Sequence, residues 1–153
     1  MAKILAVDWG SVRLGLAVSD DLGFTAQGLE SLPRADEPTD LAVIAEHVGR
    51  LGVEAVVVGL PRNMDGSLGA SAEAAQRFAE ALRDRLGLPV HLWDERLTSL
   101  AAERVLIDAR VRRRARRGLV DRVAATMILQ GFLDRQRSHP GWGESGMDDD
   151  GAV

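Results

Sequence analysis

An α/β fold, with a mixed five-stranded sheet and helices on both faces, is predicted by three observations. The chain opens with two extended stretches around a short turn, the second of which alternates apolar and small or polar residues. Val53–Val58 is apolar apart from Glu54 and rich in Val, the composition of a strand covered on both sides. From Pro38 onward, segments of helical periodicity alternate with such strands, the order that makes a layered fold with crossover connections.

The elements follow in order. Lys3–Val7 and Arg13–Ser19 are predicted as antiparallel strands joined around Gly10. In the second, Leu14, Leu16 and Val18 alternate with Arg13, Gly15, Ala17 and Ser19. A third extended stretch covers Phe24–Leu32. A helix begins near Pro38, a residue suited to a first turn, and places Leu41, Ile44, Val48 and Leu51 on one face before Gly52 ends it. After the Val53–Val58 strand, a helix over about Ser71–Leu86 buries Ala75, Phe78, Ala79 and Leu82, and Gly87 stops it. Val90–Trp93 is the fifth strand. Helices at about Ser99–Ile107 and Val120–Arg135 close the order, separated by an Arg-rich stretch read as a loop.

The 153 residues suffice for one domain with a proper core, here residues 1–137, and the chain holds no Cys. Disulfides and thiolate sites are thereby excluded. No signal-peptide pattern opens the chain and no apolar run approaches the roughly 20 residues of a membrane span, so a cytoplasmic protein without membrane partners is expected. Residues 138–153, with Gly, Pro and Asp148-Asp149-Asp150, read as a disordered acidic tail.

The net charge of −4 hides an asymmetry: Arg104–Arg122 holds eight Arg and two Asp, a local charge of +6. Arg110, Arg112, Arg113, Arg114, Arg116 and Arg117 concentrate it. Arg donates bidentately to phosphate, so this stretch reads either as a polyanion contact or as a solvated loop.

Acids stand beside apolar sequence at three places. Asp8 closes Ile4-Leu5-Ala6-Val7 and shares the face of Ile4 and Ala6. Asp94-Glu95 ends the Val90 strand. Asp121 falls on the helical stripe of Ala125, Ile128 and Phe132. Carboxylates beside a core are costly unless compensated, and converging carboxylates are compensated naturally by a divalent cation. Hard oxygen ligands suit Mg²⁺ or Mn²⁺ and phosphate-ester chemistry. Duller readings compete: Asp121 can simply complement a helix dipole, and Asp94-Glu95 can pair with Arg96. In a strand Asp94 and Glu95 point to opposite faces, so only one can join Asp8.

Gly59–Ser67, between a buried strand and a helix, reads as a plain turn or as a loop shaping a ligand cleft. It lacks the spacing and the Lys of a P-loop. His47, His91 and His139 have no metal-ligand spacing. Trp9 and Trp93, each adjacent to a candidate acid, are placed to pack across the sheet.

Four blocks resemble the YqgF (RuvX) family. These are Asp8-Trp9-Gly10-Ser11-Val12-Arg13-Leu14-Gly15 through Asp20, Gly59-Leu60-Pro61 with Met64-Asp65-Gly66-Ser67, Asp94-Glu95-Arg96-Leu97-Thr98-Ser99, and Val120-Asp121-Arg122-Val123-Ala124-Ala125 with Ile128-Leu129-Gln130. They occur in the family's order and cover about residues 3–136. The resemblance implies a ribonuclease H-like fold related to the RuvC resolvases. It implies a metal-dependent nuclease that processes the 5′ end of pre-16S ribosomal RNA, with Holliday junction resolution as the older assignment. Carried onto matching positions, the metal-binding and catalytic acids are Asp8, Glu95 and Asp121, which selects Glu95 over Asp94. Arg13 and the loop residues Gly59, Pro61, Asn63, Asp65, Gly66 and Ser67 line the cleft by the same resemblance. Many members carry a Lys shortly before the last Asp, where this chain has Gly118-Leu119-Val120; Arg116 or Arg117 would then substitute.

The expected chemistry is phosphodiester hydrolysis with one or two Mg²⁺ or Mn²⁺ ions, about 3.5–4 Å apart if two. Arg112, Arg113, Arg114, Arg116 and Arg117 would hold backbone phosphates without reading sequence. Partners would be a structured RNA precursor or branched DNA, with ribosome-assembly intermediates, and the protein a monomer or homodimer. Two rivals stand beside this reading. A nucleotide phosphotransferase of the actin and sugar-kinase type would share Asp8-Trp9-Gly10 and Gly15 but needs a second such domain. A non-catalytic RNA-binding ribosome-assembly factor would bind without metal-dependent cleavage.

Overall fold

The computed structural model describes residues 3–63, 65–97 and 113–138, the side chains of 113–122 excepted. Within them the chain runs β1 (Ile4–Trp9), β2 (Arg13–Ser19), β3 (Ala26–Pro33), α1 (Glu37–Leu51), β4 (Ala55–Leu60), α2 (Ala70–Leu86), β5 (Val90–Asp94), a short 3₁₀ turn (Glu95–Leu97) and α3 (Arg113–Ser138). The five strands form one sheet in the order β3-β2-β1-β4-β5. β1, β2 and β3 pair antiparallel, whereas β4 pairs parallel with both β1 and β5. The mixed sheet of the sequence reading is therefore observed, and β4 is buried along its whole length.

Period-two alternation divides the strands between two cores. Leu5, Val7, Leu14, Leu16, Val56, Val58, Val90 and Leu92 face α1 and α2, where they meet Ile44, Phe78 and Leu82. Ile4, Ala6, Ala17, Val57 and Trp93 face α3, where they meet Ala124, Ala125, Ile128, Leu129 and Phe132. Trp9 packs on the first core and Trp93 belongs to the second, so the two indoles lie on opposite faces and do not pack together. One residue of offset in a pleated strand is enough to separate them.

Local chemistry sets the helix ends. Asp36 caps α1 by accepting the Thr39 N–H at 2.8 Å, and Gly52 ends the helix in the left-handed region at φ 71°. Gly87 does the same for α2. The largest departure from expectation lies in α3, which begins at Arg113 and not near Val120. Arg113, Arg114, Arg116 and Arg117 thus belong to a helix backbone and not to a loop. Arg and Ala are strong helix formers, and this outweighs the single Gly118. The expected helix at Ser99–Ile107, Arg112 and the tail from 139 onward lie outside the described residues.

The turn after β1 is anchored from beneath. Arg34 donates to Asp40 Oδ2 at 2.7 Å and to the Gly10 carbonyl at 3.0 Å, and its guanidinium lies 4.9 Å from the Trp9 ring centroid. The Ala35 N–H donates to the other Asp40 oxygen at 2.9 Å. Gly10 itself admits no side chain, since a Cβ there would sit 2.7 Å from the Arg13 carbonyl oxygen. Asp40 is 4% exposed, so its charge is held by these donors. Asp40→Asn is expected to destabilise the fold by about 1.5–3 kcal/mol, the range of a hydrogen bond to a charged group. Urea denaturation of the two proteins measures it; equal midpoints would show that Arg34 is held adequately by Gly10 and the rings.

Candidate active site

The carboxyl ends of β1, β4 and β5 lie side by side. Val7 pairs with Val58, so the following rung sets Asp8 beside Gly59; Gly59 in turn pairs with Trp93, and Leu60 with Asp94. Asp8 is 7% exposed and shares the α3 face with Ile4 and Ala6. At the other end of this row the chain leaves β5 and turns. Glu95 brings its Oε2 back to within 3.0 Å of the place a Cβ on Gly59 would occupy. The same imaginary Cβ would meet Ile128 Cδ1 of α3 at 2.5 Å. Gly59 is therefore the point where helix, sheet and the Glu95 carboxylate converge, and only a residue without a side chain fits.

Asp94 takes the opposite course. Strand alternation puts it on the face of Val90 and Leu92, away from α3. Arg96 holds its carboxylate through Nη2 at 2.6 Å and Nε at 3.0 Å, and Arg62 Nη1 stands 4.0 Å away. Burial pushes the Asp94 carboxyl up, but the Arg96 side-chain and backbone hydrogen bonds and the two guanidinium charges outweigh it and hold it below the ordinary carboxylate range. The Asp94–Arg96 pairing was legible as an alternative in the sequence; the part played by Arg62 was not, because nothing in Gly59–Ser67 marks an Arg that will reach β5.

The loop from Pro61 to Gly69 closes on itself. Gly66 N–H donates to the Asn63 carbonyl at 2.8 Å, Asn63 N–H to the Ser67 carbonyl at 3.0 Å, and Ser67 donates from its N–H and hydroxyl to Asp65 Oδ1. These bonds, Ser67 Oγ first, hold the Asp65 carboxyl below its usual value. Gly66 occupies φ 88°, a conformation other residues rarely adopt. Arg62 Nε donates to the Gly66 carbonyl at 3.0 Å.

Other expected site residues fall variously. Arg13 begins β2 on the same side as Ala17 and binds Ser31 of β3 through Oγ at 3.0 Å and the carbonyl at 3.3 Å. Its guanidinium is thus engaged along the sheet. Position 121 lies in α3, one turn before Ala125 and two before Ile128, but its side chain is outside the described residues. Among the described residues no three His, Asp or Glu side chains gather into a metal-binding group. The structure brings Asp8 and Glu95 to one face about Gly59 and separates Asp94 from them.

The donor set suits a hard divalent cation. Asp8 stands one strand from Gly59 and the Glu95 carboxylate lies over it, the chain offers no thiolate, and oxygen-only ligation is what Mg²⁺ and Mn²⁺ prefer.

Comparison with known proteins agrees over nearly the whole chain. A family model described as "RuvX: Holliday junction resolvase" matches residues 2–135. A relative from Moorella thermoacetica, named "Putative pre-16S rRNA nuclease", is 56% identical over 133 residues, 87% of this chain and 95% of the relative. One of the same name from Halothermothrix orenii is 48% identical over 134 residues, 88% of this chain and 96% of its own. Among solved structures, Thermus thermophilus RuvC in complex with a Holliday junction superposes with a TM-score of 0.59 at 16% identity, covering 91% of this chain and 98% of that one. The fold is accordingly the ribonuclease H-like fold of RuvC.

Proposed function

Because the chain belongs to the RuvX family, we propose that it is a hydrolase cutting phosphodiester bonds in the precursor of 16S ribosomal RNA, at its 5′ end. The observation that carries this reading is the placement of Asp8 and Glu95 on one sheet face around a glycine that tolerates no side chain. Asp8, Glu95 and Asp121 serve as ligands for Mg²⁺ or Mn²⁺. Such a cation, when bound, supplies Lewis-acid stabilisation of the charge building on the phosphoryl oxygens. The carboxylates hold that site, Asp8 from within β1 and Glu95 from the turn that follows β5.

Arg113, Arg114, Arg116 and Arg117 share the backbone of α3 with Asp121, Arg117 one turn before it and Arg113 and Arg114 about two. They and Arg112 hold phosphates flanking the scissile bond, and Arg117 or Arg116 takes the place of the Lys that many members of the family carry. Replacing Arg112, Arg113, Arg114 and Arg116 with Gln is expected to weaken nucleic-acid binding. Each lost phosphate contact lowers the log–log salt slope by about 0.9 on duplex DNA or 0.7 on single strands. Filter binding from low to moderate salt measures it, and an unchanged slope removes the segment from the interface. Arg13 and the Gly59–Ser67 loop line the cleft. The nuclease domain spans residues 1–137, the acidic tail 138–153, and the protein acts in the cytoplasm; no described helix is long and apolar enough to cross a membrane.

Holliday junction resolution is the second reading, favoured by the description of the matching family. A resolvase acting on a two-fold junction is expected to dimerise, whereas an RNA-end nuclease need not. The deciding experiment is a cleavage assay with Mn²⁺ comparing precursor RNA and four-way junction DNA, alongside the oligomeric state in solution. Cleavage of RNA alone supports the first reading and of the junction alone the second. Tight RNA binding with no metal-dependent cleavage of either turns the assignment to a non-catalytic assembly factor. Nucleotide binding without nuclease activity would favour the phosphotransferase class.

A further inference from the structure

We propose that Asp94, Arg96 and Arg62 form a positioning clamp that sets the backbone of Glu95 and couples it to the Pro61–Gly69 loop, so that loop and acid move as one body. The inference rests on the nuclease reading for its purpose and on geometry for its existence. Glu95 is the middle residue of a turn closed by its neighbours: Asp94 Oδ1 accepts the Arg96 backbone N–H at 2.9 Å. That bond fixes the peptide planes on either side of Glu95, hence the direction in which its carboxylate leaves the chain. The side chain of Arg96 then folds back, its Nε reaching both Asp94 oxygens at 3.1 and 3.0 Å and its Nη2 reaching Oδ2 at 2.6 Å. Asp94 is 3% exposed, so this is a carboxylate in a fixed place and not a loose surface pair.

The same guanidinium lies against the loop. Arg96 Nη1 is 3.2 Å from where a Cβ on Gly66 would sit, so the glycine admits the arginine as well as the turn. Arg62 completes the bridge from the loop side, donating to the Gly66 carbonyl at 3.0 Å and standing 4.0 Å from Asp94 Oδ2. Two arginines therefore tie one buried carboxylate to one glycine of the loop. Because Asp94 and Glu95 face opposite sides of the sheet, the clamp grips the acid from behind and leaves its carboxylate to the α3 face. Substrate that displaces or seats the loop would thus reset Glu95, and the reverse. This assigns Asp94, Arg96 and Arg62 as positioning residues that do not touch the reacting atoms.

The test compares wild type, Arg96→Gln and Arg96→Lys by amide hydrogen exchange without metal and by calorimetric titration with Mn²⁺. The kcat and KM for whichever nucleic acid the wild type cuts complete the comparison. Arg96→Gln is expected to speed exchange at the Asn63, Gly66 and Ser67 amides while leaving β1 and β4 protected. It should weaken Mn²⁺ binding about 10- to 100-fold, the usual effect of removing a partner behind a metal ligand. Its kcat should fall more than its KM rises. Arg96→Lys keeps the charge without the planar fork and should fall between the two; it also serves if the Gln variant folds poorly. Wild-type exchange in the loop together with wild-type Mn²⁺ affinity in Arg96→Gln overturns the clamp, as does faster exchange spread evenly over the whole sheet. A wild type that binds Mn²⁺ but shows no coupling in the variants overturns the clamp alone, whereas a wild type that neither binds Mn²⁺ nor cleaves overturns the nuclease reading and the clamp's purpose with it.

Discussion

Asp8→Asn, and separately Glu95→Gln, is expected to abolish metal-dependent cleavage while leaving nucleic-acid binding largely intact. Each substitution keeps the side-chain volume and removes the negative charge of one proposed ligand. Lewis-acid stabilisation of a phosphoryl transition state amounts to several kcal/mol, so the loss should be about a thousandfold or more. The proposed binding surface is the Arg112–Arg117 segment, away from these acids in sequence, and retained affinity is what separates a lost ligand from a lost fold. Stability gives an independent reading. Carboxylates gathered without metal repel one another, so Asp8→Asn should leave the metal-free melt unchanged or raise stability by about 0.5–2 kcal/mol. Wild type should gain about 2.7 kcal/mol from Mn²⁺ at one hundred times its dissociation constant, and the variant less. Thermal melts with chelator and with Mn²⁺, beside single-turnover cleavage, check all of this. Full activity in purified Asp8→Asn protein would remove the acid from the mechanism.

Gly59→Val carries the second large effect. Even the first carbon of the new side chain would stand 2.5 Å from Ile128 Cδ1 and 3.0 Å from Glu95 Oε2, distances that require something to move. Ile128 is fully buried in the α3 core and has little room to yield. Overpacking a filled interior costs about 1–3 kcal/mol, and Val adds two further methyl groups to that first contact, so the upper end is expected. Activity should fall further than stability, because the relaxation that frees Ile128 displaces Glu95 as well. Gly59→Ala with Ile128→Val tests the division: removing Cδ1 should recover part of the lost stability, read by urea denaturation, while cleavage stays depressed. If the double variant recovers both, Gly59 matters for packing only. If Gly59→Val melts like wild type, the contact between α3 and β4 is looser than its geometry implies.

The contrast between these residues shows what a linear reading can reach. Hydrophobic period sufficed for β2, α1 and α2, because burial imposes the period directly: Leu14, Leu16 and Val18 face one core, and Ala75, Phe78 and Ala79 one helix stripe. β4 was legible from its Val-rich composition, and the half-exposed β3 carried no such pattern. Period also placed Asp8 on the side of Ile4 and Ala6, where the structure has it. The start of α3 was misplaced by seven residues, since a run of arginines carries no apolar stripe and only intrinsic propensity marks it as helical. Period-two alternation stated that Asp94 and Glu95 diverge but not which of them turns toward Asp8. That choice depends on which face of β5 receives α3, a fact set by chain segments far away in sequence.

The sequence by itself determined the layered α/β class, the caps at Gly52 and Gly87, the family, and the identity of the acids worth testing. The class and the caps follow from local period and local conformational preference; the family, and Glu95 over Asp94 among the acids, follow from the resemblance of the four sequence blocks. Only the tertiary structure decided the strand order, the convergence of Glu95 and Ile128 on Gly59, and the bond network that joins Asp94 to Arg62 and Arg34 to Trp9. Those contacts join residues from separate elements, and their registers are chosen by the packing of two cores on one sheet. No property of either partner read alone contains that choice.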